Sequence, residues 1–295
     1  MQRRLLTLCI VLMFAVGVFA AGRGHQTTTE PSQEVERTLR EALTVHFIDV
    51  GQGDAILITN AHKAVLIDSG DVPGKNENKV VMYIQQQGIR ILDAVIITHP
   101  HADHIGGIQK VLETFEVRQV YDSGQVTTSQ LYKHYLQTIK QKKIPFALAR
   151  AGDTIALGEG LNLQVLAPED PLLSDLNSNS VVTRLVYGEI SFLFTGDIEK
   201  DAEDRMLKQP GTILKSTVLK VPHHGSNTSS SVSFLKAVSP EVAIIMCGTD
   251  NDYHHPHLGT LKKYEQAKIN VFRTDLNGSV IVTTDGKQYQ VKVEK

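Results

Sequence analysis

The chain has 295 residues, of which 41% are hydrophobic and 21% charged, so it can bury one large core or two small ones. Its formal charge of −2 excludes a global basic field that gathers nucleic acid. Any polyanion has to be held locally, by a metal and a few side chains.

Arg3 and Arg4 precede an apolar run from Leu5 to Val18, and small residues follow at Ala20, Ala21 and Gly22. The pattern predicts a secretory signal peptide over residues 1–21, cut after Ala20. An uncleaved membrane anchor is the alternative, although the run is shorter than the ~20 residues a spanning helix needs. Residues 22–43 are polar and read as a disordered linker, which leaves 44–295 as the folded domain. With the leader gone Cys247 is the one cysteine left, so no intrachain disulfide is expected. The expected location is secreted or cell-surface; membrane contact enters only if the leader stays.

Val45 to Val50 alternates and predicts a strand, with a turn at Gly51-Gln52-Gly53-Asp54 and further strands over 55–59 and 64–68. Asp68 closes the third strand. It can orient a ligand imidazole from behind or bond its own turn. A helix is expected over 78–87. The apolar run Ala94 to Ile97 then predicts a buried strand, which stops in Thr98-His99-Pro100-His101-Ala102-Asp103-His104. Imidazole nitrogen and carboxylate oxygen are ligands for Zn²⁺ and similar ions. His99 and His101 point the same way on an extended segment, whereas Asp103 and His104 follow the turn. One loop can thus serve two metal ions. One helix from about Ile105 to Glu113 is expected next.

After an amphipathic helix over 129–142 and strands over 146–149, 154–157 and 161–167, Asn177-Ser178-Asn179-Ser180 leads into strands over 181–187 and 190–194. The second of these ends at Gly196-Asp197, again a carboxylate at a strand terminus. Asp197 reads as a bridging ligand, or as the N-cap of a helix over 199–208. The strand 218–221 ends at His223-His224-Gly225-Ser226. One of His223 and His224 should bind metal, and the other could donate a proton or a hydrogen bond to substrate. The helix expected over 232–238 would offer its N-terminal amides, after Ser226, to phosphate oxygens. Tyr253 and His255, before a helix over 258–267, are candidate substrate contacts at the rim.

The first motif, the later Gly196-Asp197 and the histidines at a further strand end resemble the metallo-β-lactamase fold superfamily. Asp49-Val50-Gly51-Gln52-Gly53-Asp54-Ala55, Asn177 to Ser180 and His223-His224-Gly225-Ser226 look like the C-terminal nuclease-like domain of ComEC competence proteins. The resemblance implies an α/β (α+β) chain folded as a four-layer αββα sandwich, with two mixed sheets face to face and the metals at one edge. It implies two divalent ions, Zn²⁺ or Mn²⁺. His99 and His101 would hold one, Asp103 and His104 with one of His223 and His224 the other, and Asp197 would lie between them. Asp54 and Asp68 would stand behind the ligands. No histidine lies between His134 and His223, where lactamases of this fold place another ligand; Asn177 to Asn179 occupies that place, with Asn179 as the candidate substrate contact.

The function that follows is that of a secreted metal-dependent hydrolase, most naturally a phosphodiesterase or nuclease. Water ionised by the metals attacks phosphorus or a carbonyl carbon, Asp103 or an adjacent carboxylate takes up a proton, and His223 or His224 with the amides after Ser226 stabilises the developing charge. DNA or a cell-wall polymer is the expected partner, and no stable protein partner is readable. Two other readings are a non-catalytic surface protein that binds DNA or polymer, and a hydrolase of lactones or other carbonyl esters. Lys215, Lys220, Lys262 and Lys263 read as solvated surface charge.

Overall fold

Short strands rich in Val and Ile, buried on both faces, set the architecture. The computed structural model describes residues 42–72, 78–158 and 161–295. The expected leader, and the linker up to residue 41, lie outside the described residues. The first strand begins at Leu43, one residue before the expected boundary, because that side chain is fully buried.

One eight-stranded sheet runs in the order β17-β16-β1-β2-β3-β5-β7-β8. Its strands are Leu43–Phe47 (β1), Ile56–Thr59 (β2), Ala64–Ile67 (β3), Ala94–Ile97 (β5), Val120–Asp122 (β7), Phe146–Leu148 (β8), Val280–Thr284 (β16) and Tyr289–Val293 (β17). The second sheet runs β15-β14-β13-β12-β11-β10-β9. It comprises Thr154–Ala156 (β9), Asn162–Ala167 (β10), Val182–Tyr187 (β11), Ile190–Phe194 (β12), Val218–Lys220 (β13), Val242–Ile245 (β14) and Asn270–Arg273 (β15). Ile91–Leu92 (β4) and Glu116–Val117 (β6) form a small separate ladder. Each large sheet is antiparallel at one end and parallel at the other. The parallel strands, covered on both sides, read as continuous apolar runs rather than alternating ones.

The facing sides of the two sheets share one core, which includes Phe47, Ile96, Phe192, Phe194, Ile244 and Val282. Helices Lys79–Gln86, Ile108–Thr114 and Gln130–Lys142 cover the outside of the first sheet through Val80, Ile84, Val111, Leu112 and Tyr135. Helices Lys200–Lys208, Val232–Val238 and Leu258–Gln266 cover the second through Met206, Phe234 and Tyr264. The αββα layering expected of the family is therefore present. Among the described residues no helix is long and apolar enough to cross a membrane.

Most boundaries fall within a residue of expectation. Asn78 and Ser129 are N-caps, their side chains accepting from Val81 N and Tyr132 N. The helix expected from about Ile105 is instead two, Ala102–Ile105 and Ile108–Thr114. Gly106 and Gly107 separate them because other backbone passes there. A Cβ on Gly106 would lie 2.1 Å from Val72 N, and one on Gly107 2.3 Å from Ser69 O.

Phe192 is fully buried between the sheets and stacks on Phe194 at 6.1 Å. Phe192→Ala should lower the unfolding free energy by about 3–5 kcal/mol in urea titration, since the rigid sheets on either side cannot collapse into the gap.

Candidate metal centre

The parallel strands of both sheets end at the same edge, and their last residues carry the polar side chains. Asp68 follows β3, His99 to His104 follow β5, Asp197 follows β12 and His224 follows β13. Ligands gather at such carboxyl ends in open α/β sheets because several chain termini converge there. Here two sheets contribute. Val181 N donates to Thr98 O at 2.9 Å, and His223 N donates to Gly196 O at 3.2 Å, so the loops brace one another. Gly196 has φ +52°, and a Cβ there would lie within 3 Å of Ser180 and Thr98. Only glycine lets the loop carrying Asp197 pass so close.

Asp103, His104, Asp197 and His224 bring one ligand atom each within 4.8 Å of one another. Asp197 Oδ2 lies 3.0 Å from His104 Nε2 and 3.1 Å from His224 Nε2. Asp103 Oδ2 is 3.1 Å from His224 Nε2. His99 stands beside this group, its Nε2 4.0 Å from Asp197 Oδ2 and 3.0 Å from His101 Nδ1. His99, His104, Asp197 and His224 are buried, while Asp103 and His101 reach the surface of a cavity of about 320 Å³.

The outer hydrogen bonds fix which nitrogen faces inward. His104 Nδ1 donates to Asp68 Oδ2 at 2.8 Å, and His224 Nδ1 donates to Met246 O at 2.8 Å. Thr98 Oγ1 spends its proton on Asp68 and Ser180 Oγ spends its own on Asn177 O, so both accept from His99 Nδ1, at 3.1 and 3.3 Å. Each neutral imidazole then turns an Nε2 lone pair toward carboxylate oxygen. Lone pairs 3.0 Å apart repel unless a proton or a cation lies between them. The donor set of imidazole nitrogen and carboxylate oxygen fits a borderline divalent cation.

Charges follow the same geometry. Burial alone would neutralise His104 and His224, but Asp197 and the nearby carboxylates outweigh it and hold both well above the usual 6.5. Burial likewise pushes Asp197 and Asp103 up, yet His104 and His224 hold both below the ordinary 3.8. His99 goes the other way, lowered by burial and then by His104.

Behind the ligands lies a charge the sequence reading misplaced. Lys220 is fully buried, not solvated. Its ammonium contacts Asp54 Oδ2, donates to Gly196 O at 2.9 Å and lies 3.5 Å from Asp197 Oδ1. Asp54 also stands 3.4 Å from His224 Nδ1. Asp54 and Asp68 therefore stand behind His224 and His104, two of the candidate ligands. Together with His104 they form a second close cluster, in which Lys220 takes Asp54 Oδ2 and Thr98 donates to both oxygens of Asp68. A lysine inside the apolar run Val218-Leu219-Lys220-Val221 was the available signal.

Several expected contacts need correction. Of the paired histidines, His224 joins the cluster. His223 turns away, its Nδ1 3.2 Å from both Glu199 Oε1 and Thr228 Oγ1, although it still lines the cavity. Both residues have positive φ, 50° and 52°, which swings the two rings apart. Asn179 is buried and clamps its own loop by bonds to Leu173 and Asp175, and it is not among the residues lining the cavity. Asn177 lines the cavity instead, with its Oδ1 buried and unpartnered. Ser226 is buried, bonding Thr228. Several amides after Ser226 are already engaged: Asn227 N by His257, Thr228 N by Ser226, Ser230 N and Ser231 N by Glu203, and Phe234 N by Ser231 Oγ. Tyr253 and His255 line the cavity. Asp197 is not a helix cap, since Glu199 holds that position.

Residues 48–249 match the family model described as Metallo-beta-lactamase superfamily. The chain is 32% identical over 252 residues to ComE operon protein 3 of Bacillus subtilis (strain 168), covering 80% of this chain and 32% of that protein. It is also 32% identical over 232 residues to Competence protein ComA of Neisseria gonorrhoeae, covering 79% of this chain and 31% of that one. The chain thus spans about a third of the length of these curated relatives. In shape it is similar to the metallo-beta-lactamase fold protein YhfI from Bacillus subtilis, with a TM-score of 0.54 at 11% identity over 82% of this chain and 100% of that one.

Two outcomes are expected. Lys220→Met should cost about 3–5 kcal/mol in denaturant unfolding, because Asp54 and Asp197 stay buried without their cation, and Asp54→Asn added to it should regain part of the loss. In chelator-stripped protein, protonated His104 and His224 stabilise the folded state. That contribution is complete below the unfolded value of about 6.5 and is lost as pH rises through the raised folded values. The urea midpoint of stripped protein should therefore fall from pH 7 to 9, and a midpoint that holds or rises would contradict the network.

Proposed function

The chain belongs to the metallo-beta-lactamase superfamily, and on that premise we propose that it is an exported metal-dependent phosphodiesterase, with nucleic acid as the first substrate class. The observation that carries the reading is the convergence of three inward imidazole nitrogens on Asp197, with Asp103 alongside, under an open cavity. The ComEC-like sequence features and two relatives named for competence support a phosphodiester over a carbonyl ester. Arg3, Arg4 and the apolar run after them support export, with residues 44–295 as the hydrolase domain.

In this reading His104, His224, Asp103 and Asp197 would hold one divalent cation, and His99 and His101 with Asp197 would hold a second. The bound cation supplies Lewis acidity toward phosphoryl oxygen and makes water a nucleophile near neutral pH. The protein's own groups do the rest. Asp68 and the Met246 carbonyl keep His104 and His224 in the required tautomer. Asp103, a carboxylate 23% exposed at the cavity, takes up a proton from the attacking water. His223 donates Nδ1–H to Glu199, which leaves a neutral Nε2 to receive that same proton from Asp103 and hand it to the departing oxygen. Burial, offset in part by Asp197, keeps this imidazole neutral at pH 7 and so able to accept. Asn177 keeps Nδ2 on Glu199 Oε1 at 3.4 Å, which leaves its Oδ1 at the cavity wall to accept from a substrate hydroxyl or amine.

Purified protein should release nitrophenol from bis-p-nitrophenyl phosphate with Mn²⁺ or Zn²⁺. Chelator should stop the reaction and either ion restore it. Asp103→Ala and His223→Ala should each lower kcat about a hundredfold or more. Tight metal binding with no ester turned over would favour a binding protein of this fold. Turnover of lactones or nitrocefin alone would favour the carbonyl reading.

A further inference from the structure

Three rings lead out of the cluster. His224 faces His255 at 6.0 Å and 30°, and His255 faces Tyr253 at 5.7 Å and 19°. The inner members are closed off: His255 is 8% exposed and its Nδ1 is buried without a partner. Asn251 locks the loop from both sides, accepting from His255 N at 2.9 Å and donating to His255 O at 2.6 Å. Tyr253 ends the column. One face of its ring lies on His255, and the residue is 62% exposed. A large aromatic held flat by a fixed imidazole and open on its other face is a stacking shelf, and it borders the cavity above Asp103 and Asp197.

Charge narrows what the shelf can take. The described residues lining the cavity include Asp71, Asp103 and Asp197 but no lysine or arginine. Among the described lining residues, phosphates beyond the scissile one meet no lysine or arginine, so from these residues a longer chain gains little by counterion release. Stacking on an aromatic face works with any base and needs no such charge, but it needs the base unpaired. We propose that Tyr253 is the stacking subsite for an unpaired nucleobase next to the scissile phosphate, which makes single-stranded nucleic acid and nucleotide esters, not duplex, the substrate class. The proposal rests on the phosphodiesterase reading and adds the subsite that reads the base.

The test uses full-length Mn²⁺-loaded protein and two probes: the p-nitrophenyl ester of thymidine 5′-monophosphate, and the same ester with a 1,2-dideoxyribose in place of the nucleoside. Tyr253→Ala should raise KM for the thymidine ester about tenfold, within the range that stacking one base contributes. The abasic ester should already carry that penalty, with no further rise in the variant. Tyr253→Trp should restore a low KM for the thymidine ester. Equal KM changes on both esters, or none on either, would overturn the subsite. Should neither ester be hydrolysed, the phosphodiesterase reading fails, and fluorescence anisotropy with labelled hexathymidylate takes over. A tenfold weaker Kd for the Ala variant, absent with an abasic hexamer, would still uphold the shelf, and an unchanged Kd would remove it.

Discussion

A single buried ammonium organises this edge of the molecule. Lys220 sits where two buried carboxylates and a carbonyl approach one another, and its charge lets Asp54 and Asp197 remain ionised there. Burying such a group alone is costly, so it persists only with partners on every side. The partners are also the supports of the candidate centre. Asp197 turns one oxygen to Lys220 and the other to the imidazoles, so the lysine sets which face of the carboxylate the cluster sees.

From that ion pair the rest of the edge follows by contact. Asp54 stands against His224, and its amide donates to Asp103 O at 3.1 Å. Gly53 makes this approach possible, since a Cβ there would lie 2.1 Å from the same oxygen. Thr98 ties Asp68 to His99, and Ser180 ties His99 to the backbone of Asp197 at 3.1 Å. Every inward imidazole is thus oriented from behind by a group on a different strand end. Such support is what holds a site to the small tolerances that chemistry needs.

Much of this was legible from residue type and period. An apolar run that stops abruptly in His-x-His-x-Asp-His leaves polar groups at a strand end, and the same logic found Asp197 and the pair at 223–224. Lys220 escaped because a lysine is usually solvated, although its apolar neighbours marked it as interior. The choice between His223 and His224 depended on two consecutive left-handed residues, which no spacing rule foresees. Asn179 and Asn177 are two positions apart in one short 3₁₀ turn, and only the path of that turn decides which reaches the cavity. The amides near Ser230 looked free to bind phosphate because Glu203, which takes them, lies on a different helix.

The pairing of β1 bears on the order in which the centre can come into being. Leu43–Phe47 lies between β2 and β16, so residues 43–47 pair with 280–284, near the opposite end of the chain. Just beyond, Asp49 N donates to Ser279 Oγ at 3.1 Å, fixing the start of the loop that carries Gly53 and Asp54. Contacts of such sequence separation form late, because the intervening chain must first be gathered in. During synthesis, the loop behind Asp103 and His224 therefore waits for the C-terminal hairpin, and the cluster closes only once the whole domain is available to fold.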